Sequence, residues 1–295
     1  MPSSAADGAR PAAAGRAPSS SALADQTDAP LLHLRGLGKS FGPVRALADI
    51  DLDIPEGQVT ALVGDNGAGK STLIKTISGI WEPSGGEIVW KGRPVHLHSP
   101  RDATALGIAT VYQDLALCDN LDIVQNMMLG HERLRYGLLD EISMELAAKR
   151  TLADLRVTTV RSIRQLVGSL SGGQRQSVAV AKAVILDARL VIMDEPTAAL
   201  GVTQTELVLD LIRRLSSRGH AVVVVSHNLT EVFQVADRIA VLYLGRLAAA
   251  GPASDFDTQS VVELMTTGTS ARVNSANGNR SEPTPPGGRG SGTEG

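Results

Sequence analysis

The chain has 295 residues, a net charge of −3 and 3% aromatic residues. That length leaves room for about two domains, and the balanced charge with few aromatics excludes a basic nucleic-acid footprint or a stacking platform for single strands. One cysteine, Cys118, excludes an intramolecular disulfide and fits a reducing cytoplasm; no apolar run approaches the roughly 18 residues of a membrane span, Val178–Leu186 being broken by Lys182.

Residues 1–30 are mostly Ala, Ser, Pro, Gly and Asp and read as a disordered tail, because they carry too little large apolar surface to fold. Arg10 and Arg16 do not make a targeting peptide of it, since acidic residues are present and an apolar stretch is lacking. From Leu31 the pattern becomes strand-like, with Leu31–Leu34 and Val44–Ile54 separated by a Gly42-Pro43 turn. The apolar run Val59–Val63 leads into Gly64-Asp65-Asn66-Gly67-Ala68-Gly69-Lys70-Ser71-Thr72 and then the helix-like Leu73–Ile77. Gly86–Gly92 reads as a short strand, Ser99-Pro100 as a helix start, and Gly107–Val111 as a buried strand.

Apolar residues at three- and four-residue spacing predict helices over Asp122–Leu129 and Glu141–Leu155, a helical insertion at about residues 121–169. Strand and helix patterns then alternate: Leu190–Asp194, Thr203–Arg218, Ala221–Ser226, Asn228–Ala236 and Arg238–Leu244. Alternation of that kind predicts a mostly parallel sheet covered by helices. A last short helix is expected over Ser260–Met265, and residues 271–295 read as a second disordered tail.

The glycine-rich stretch between strand and helix has the spacing of a phosphate-binding loop. Glycines let backbone N–H groups converge on phosphate oxygens, and the positive end of the next helix adds to the attraction. Lys70 is placed to reach the β- and γ-phosphates, and the Ser71 hydroxyl to ligate Mg²⁺. The expected fold is therefore α/β, a P-loop NTPase core with a mostly parallel sheet, an N-terminal antiparallel β region and a helical insertion subdomain; the ligands are a nucleoside triphosphate and Mg²⁺.

A second helix start, Ser171-Gly172-Gly173-Gln174, offers an N-cap serine and open N–H groups without any lysine-bearing loop. Taken alone it reads first as a helix cap after a turn. It can also serve a nucleotide held by another copy, two copies enclosing two nucleotides about a two-fold axis.

Leu170-Ser171-Gly172-Gly173-Gln174, followed by Leu190-Val191-Ile192-Met193-Asp194-Glu195-Pro196-Thr197, resembles the signature and Walker B segments of ATP-binding cassette ATPases. The resemblance covers about residues 31–267 and implies two ATP molecules sandwiched between the phosphate loop of one cassette and the signature of the other. It implies Asp194 as a Mg²⁺ ligand and Glu195 as the general base on the attacking water. It further implies His227 as the switch histidine at the γ-phosphate, Gln113 as the Q-loop glutamine sensing Mg²⁺ and water, and Phe41 as the aromatic that stacks on adenine. One departure stands out: where the family reads Ala-Leu-Asp, this chain has Ala199-Leu200-Gly201.

The wording Gly-Asp-Asn-Gly-Ala-Gly-Lys, with Tyr112–Leu117 and Gln174–Ala181, is most similar to the ATPases of bacterial monosaccharide importers of the ribose, xylose, galactose and fructose type. That branch implies a homodimer of cassettes on the cytoplasmic face of the membrane, beneath separate transmembrane permease subunits, with an extracytoplasmic sugar-binding protein as indirect partner and no nucleic acid. The alternative is a soluble, nucleotide-gated cassette ATPase acting on a non-transport partner.

Overall fold

A computed structural model of the chain describes residues 30–157, 159–198 and 200–270. The tails expected over residues 1–30 and 271–295 lie outside these, apart from Pro30, as does Ala199 of the departing tripeptide.

Two long antiparallel strands come first, β1 (Leu32–Phe41) and β2 (Val44–Ile54), with Phe41 paired to Val44 across the Gly42-Pro43 turn. The next strand, β3 (Val59–Gly64), is buried along its whole length and delivers the chain to α1 (Lys70–Ile77). A hairpin of β4 (Gly85–Trp90) and β5 (Arg93–Val95) follows, then α2 (Pro100–Leu106) and β6 (Ile108–Val111). The start of α2 is fixed by a reciprocal cap between Ser99 and Asp102 with Pro100 in the first turn, and its end by Gly107 in left-handed conformation.

The helical part comprises α3 (Ile123–Met128), a small hairpin of β7 (Leu134–Arg135) and β8 (Leu138–Leu139), α4 (Glu141–Asp154) and α5 (Gly172–Ile185). Met127, Met144, Leu152 and Val178 share one buried cluster there. Asn126 has no exposure; its amide donates to the carbonyls of Cys118 (2.9 Å) and Asp122 (3.0 Å) and accepts from Cys118 N (2.7 Å), which fixes the loop leading from β6 into α3. Arg164 donates to Asp122 (3.1 Å), Glu141 (2.8 Å) and Glu145 (2.8 Å through Nε), so the segment before α5 is tied to both α3 and α4.

The remainder alternates: β9 (Leu190–Asp194), α6 (Val202–Ser217), β10 (Ala221–Val225), α7 (Leu229–Val235), β11 (Arg238–Tyr243), β12 (Arg246–Pro252) and α8 (Thr258–Thr267). The strands form an antiparallel sheet in the order β2-β1-β4-β5 and a central sheet in the order β12-β11-β3-β10-β9-β6, parallel except for β12. Both faces of the central sheet are covered. Leu190 and Ile192 of β9 join the apolar layer beneath the antiparallel sheet, whereas Val191 and Met193 join the layer shared with α5 and α6. Because β3, β9 and β10 run parallel, their carboxyl ends share one edge, where ligands of such sheets bind.

The mostly parallel sheet, the antiparallel N-terminal region and the helical segments are those the sequence predicts. Strands β5, β7, β8 and β12 are additions. Strand β12 carries Leu247-Ala248-Ala249-Ala250-Gly251, short side chains with little strand signal, and is held by pairing along the edge of β11.

Candidate functional site

The glycine-rich loop turns tightly because Gly69, the N-cap of α1, sits at φ +105°; a Cβ there would lie 3.0 Å from Leu47 Cδ2 and 3.1 Å from Ala46 O. Helix α1 starts at Lys70, whose ammonium donates to the carbonyls of Gly64 (2.7 Å) and Asp65 (3.0 Å). Burial pulls the Lys70 amine below its ordinary value, and the charges of Glu195, Asp65 and Asp194 oppose that shift.

Strand β9 ends at Asp194, in register with Val225 of β10. Glu195 follows with φ +49°, a left-handed conformation uncommon for this residue type, and its N–H donates to Val225 O at 2.9 Å. Beyond β10 lies His227, whose Nδ1 is 2.9 Å from Glu195 Oε1. The two adjacent acids differ in setting. Burial first, and then the charge of Glu195, push the Asp194 carboxyl above its ordinary range, with Lys70 and Lys75 pulling it back. Around them Thr197 donates to Glu231 (2.5 Å) and Asn228 Nδ2 donates to the other Glu231 oxygen (2.8 Å), which ties the loop after β9 to the helix after His227.

These groups converge on a cleft of about 630 Å³. Asn66, Gly67, Gly69, Lys70, Ser71 and Thr72 line it from the loop, and Gln113, Asp194, Glu195 and His227 from the strand ends. Six further lining residues escape the sequence reading: Val44, Arg45 and Ala46 from the start of β2, Ala198, and Leu244 and Gly245 from the β11–β12 turn. The hairpin turn at Gly42-Pro43 is the signal nearest to the first three; Leu244-Gly245 carries only the glycine of a tight turn.

Other expected residues stand outside the cleft lining. Ala68 turns its methyl into the core and is 4% exposed; Asp65 accepts from Ala68 N (3.1 Å); a Cβ on Gly64 would meet Leu242 O at 2.6 Å, so that glycine serves strand packing. Phe41 is absent from the wall too. Its ring meets Trp81 edge-on at 4.7 Å, with Lys39 Nζ 5.2 Å from its centre.

Ser171, Gly172, Gly173 and Gln174 lie at the start of α5 and also outside the lining. Ser171 and Gln174 form a reciprocal cap, Gln174 Oε1 accepting from Ser171 N at 2.9 Å while its amide donates to Thr159 O at 2.5 Å. A Cβ on Gly172 would lie 2.8 Å from Leu200 Cδ2, and one on Gly173 3.1 Å from Gln204 Cβ. Gly173 thus packs closely on α6 at Gln204, and Gly172 faces the Leu200 side chain just before that helix, contacts the sequence alone does not disclose.

Among the described residues no group of three or more His, Cys, Asp or Glu side chains is placed to hold a metal ion. The donors expected for Mg²⁺, Ser71, Gln113 and Asp194, are hard oxygen groups on the wall of a single cleft, a set that suits an ion completing its shell with phosphate oxygens and water. No helix among the described residues is long and apolar enough to cross a membrane.

Residues 47–198 match the ABC transporter family model. The chain is 46% identical over 244 residues to a fructose import ATP-binding protein of Rhizobium meliloti, covering 80% of this chain and 94% of that one. It is 43% identical to a xylose/arabinose import ATP-binding protein of Sulfolobus acidocaldarius, covering 83% of this chain and 97% of that one. Among solved structures, the dimeric post-hydrolysis state of an ATP-binding cassette bound to ADP and Pi superposes with a TM-score of 0.63 at 26% identity, over 76% of this chain and all of that one.

Proposed function

The chain belongs to the ABC transporter family, and from that membership we propose that it is the ATP-hydrolysing subunit of a bacterial monosaccharide importer. The observation carrying the reading is the convergence of Lys70, Ser71, Asp194, Glu195 and His227 on one cleft, with His227 bonded to Glu195. The chain is an ATPase, and the relatives it resembles are named as sugar import ATP-binding proteins.

The chemistry follows from the positions. Backbone N–H groups of Gly67–Thr72 and the Lys70 ammonium take the phosphates. Ser71 and Asp194, with Gln113 beside them, would hold Mg²⁺, which neutralises charge on the β- and γ-phosphate oxygens when bound. Glu195 accepts a proton from water as its oxygen attacks the γ-phosphorus; the bond to the β-phosphate oxygen breaks, and ADP and phosphate leave. His227 orients the Glu195 carboxylate and presents its other ring nitrogen to the γ-phosphate.

Ser171–Gln174 complete the site of a second copy. In support, they lie outside this chain's own cleft, and the cassette it superposes on is dimeric. Residues 31–270 then act as one cassette with its helical part at about 121–169. The homodimer sits on the cytoplasmic face of the membrane beneath permease subunits, and a sugar-binding protein delivers the substrate from the other side. No observation favours a non-transport partner. The test is ATP hydrolysis by the chain copurified with its permease subunits in vesicles: stimulation by a monosaccharide and its binding protein is expected, and a rate indifferent to every sugar tested contradicts the importer reading.

A further inference from the structure

The His227 side chain is 74% exposed, so packing does little to fix where its imidazole points. Its place depends on the backbone around it. Ser226 Oγ accepts from Asn228 N (3.0 Å) across His227, and Asn228 caps α7 by accepting from Thr230 N (3.1 Å). These bonds shape the turn that carries the imidazole. They do not set its spacing from Glu195, which follows a different strand.

The bond from Glu195 N to Val225 O joins the two strand ends. Beyond it the segments diverge, β9 into Pro196-Thr197 and β10 into α7, and the Glu231 carboxylate spans them. One of its oxygens takes the hydroxyl of Thr197, two residues after Glu195, and the other takes Nδ2 of Asn228, next to His227. Two acceptors on one planar group hold the two donors at a fixed spacing. Glu231 and Thr197 are half-buried, and both stand outside the cleft lining. An acid in the first turn of α7 also suits the helix dipole, but that role needs no reach to Thr197 and predicts a change in melting temperature without one in kcat.

Building on the hydrolysis reading above, we propose that Glu231 is a positioning residue for the reaction. Through Thr197 and Asn228 it keeps the loop of Glu195 and the loop of His227 at the spacing that holds the imidazole on the carboxylate. It acts through His227, so its removal slows turnover and leaves the phosphate loop untouched.

The experiment measures kcat, KM for ATP, affinity for adenylyl imidodiphosphate and melting temperature for wild type, Glu231→Ala, Glu231→Gln and Thr197→Val. His227→Ala and its double variants with Glu231→Ala and Thr197→Val complete the set. Glutamine can keep both bonds, its amide oxygen accepting from Asn228 and its amide nitrogen donating to the Thr197 hydroxyl. Glu231→Ala and Thr197→Val are each expected to lower kcat about fivefold to tenfold, with affinity within about twofold and Glu231→Gln near the wild-type rate. In the His227→Ala background the same changes lower kcat by less than about twofold, because the contact they support is already gone. Should Glu231→Ala fail to fold, Thr197→Val breaks the same link from its other end. Wild-type kcat in the folded variants, a matching loss of affinity, a glutamine variant as slow as alanine, or equal losses of kcat in both His227 backgrounds overturns the positioning role alone. Unchanged kcat in His227→Ala overturns the reading of His227 itself, and the role of Glu231 with it.

Discussion

His227 Nδ1 lies 2.9 Å from Glu195 Oε1, although 31 residues separate the two in the chain and they follow different strands. Two features make this contact. The Glu195 N–H is bonded to Val225 O, which docks the end of β9 against the end of β10. Glu195 itself adopts φ +49°, which turns the chain sharply after Asp194. The pair is uneven: the Glu195 side chain is 19% exposed and that of His227 74%. The carboxylate is thus held on the wall while the imidazole reaches into the opening.

The imidazole is therefore expected to orient the base. His227→Ala lowers kcat about 10- to 10²-fold and leaves nucleotide affinity within about threefold, because the phosphate loop is untouched. Equal loss in binding and turnover would place His227 in ground-state binding instead.

Lys70 is the cation of the loop, half-buried against the carbonyls of Gly64 and Asp65. Lys70→Ala weakens binding of adenylyl imidodiphosphate about tenfold or more, the worth of charge-assisted bonds to phosphate. Burial already disfavours this charge, so the circular dichroism spectrum stays native. Unchanged affinity in a folded variant would remove Lys70 from the site.

Asp194 gives the pH prediction. Burial and Glu195 raise its carboxyl in the folded protein, so the folded state binds a proton more tightly than the unfolded one. That group favours folding at acid pH and opposes it as pH rises through the folded-state value. Asp194→Asn is expected to raise the melting temperature at neutral pH by about 1–3 °C and to abolish hydrolysis, the usual trade of stability against function. At pH below the ordinary carboxylate range the stability gain disappears. A variant less stable than wild type at neutral pH would show that the carboxylate is well accommodated.

Much of this site is legible in sequence because its signals are local. Val59–Gly64 and Leu190–Asp194 are short apolar strands ending in glycine and in an acid pair, and both occupy the strand edges those patterns predict. What escapes is built by contact between distant segments. The wall of Val44 and Leu244 needs the bond from Ala48 to Gly245, nearly two hundred residues apart, and no local period encodes it. Gly172 and Gly173 announce a helix start, but their approach to Leu200 and Gln204 depends on the packing of α5 on α6. Strand β12 is hidden by its alanines, which favour helix and are depleted in strands.

Gln113 on the cleft wall lies in the segment joining β6 to α3, and we propose that this segment, linking the nucleotide site to the helical part, receives the permease. Within Leu115–Met128 most side chains of α3 are buried, so the contacting surface reduces to residues such as Ala116 and Asn120, which are exposed. Ala116→Glu and Asn120→Arg are expected to depress sugar uptake in reconstituted vesicles while the isolated subunit keeps its ATPase rate. Loss of both activities, or of neither, would move the docking surface elsewhere.

The central claim is that the cleft of Lys70, Asp194 and Glu195 hydrolyses ATP with Glu195 as the base. Its most direct measurement is steady-state ATP hydrolysis by purified wild-type and Glu195→Gln chains, with ATP binding and the mass in solution followed in parallel. The account predicts that the variant binds ATP as tightly as wild type, turns over at least about 10²-fold more slowly, and accumulates as an ATP-bound dimer. Turnover near the wild-type rate in a folded, ATP-binding variant would contradict it.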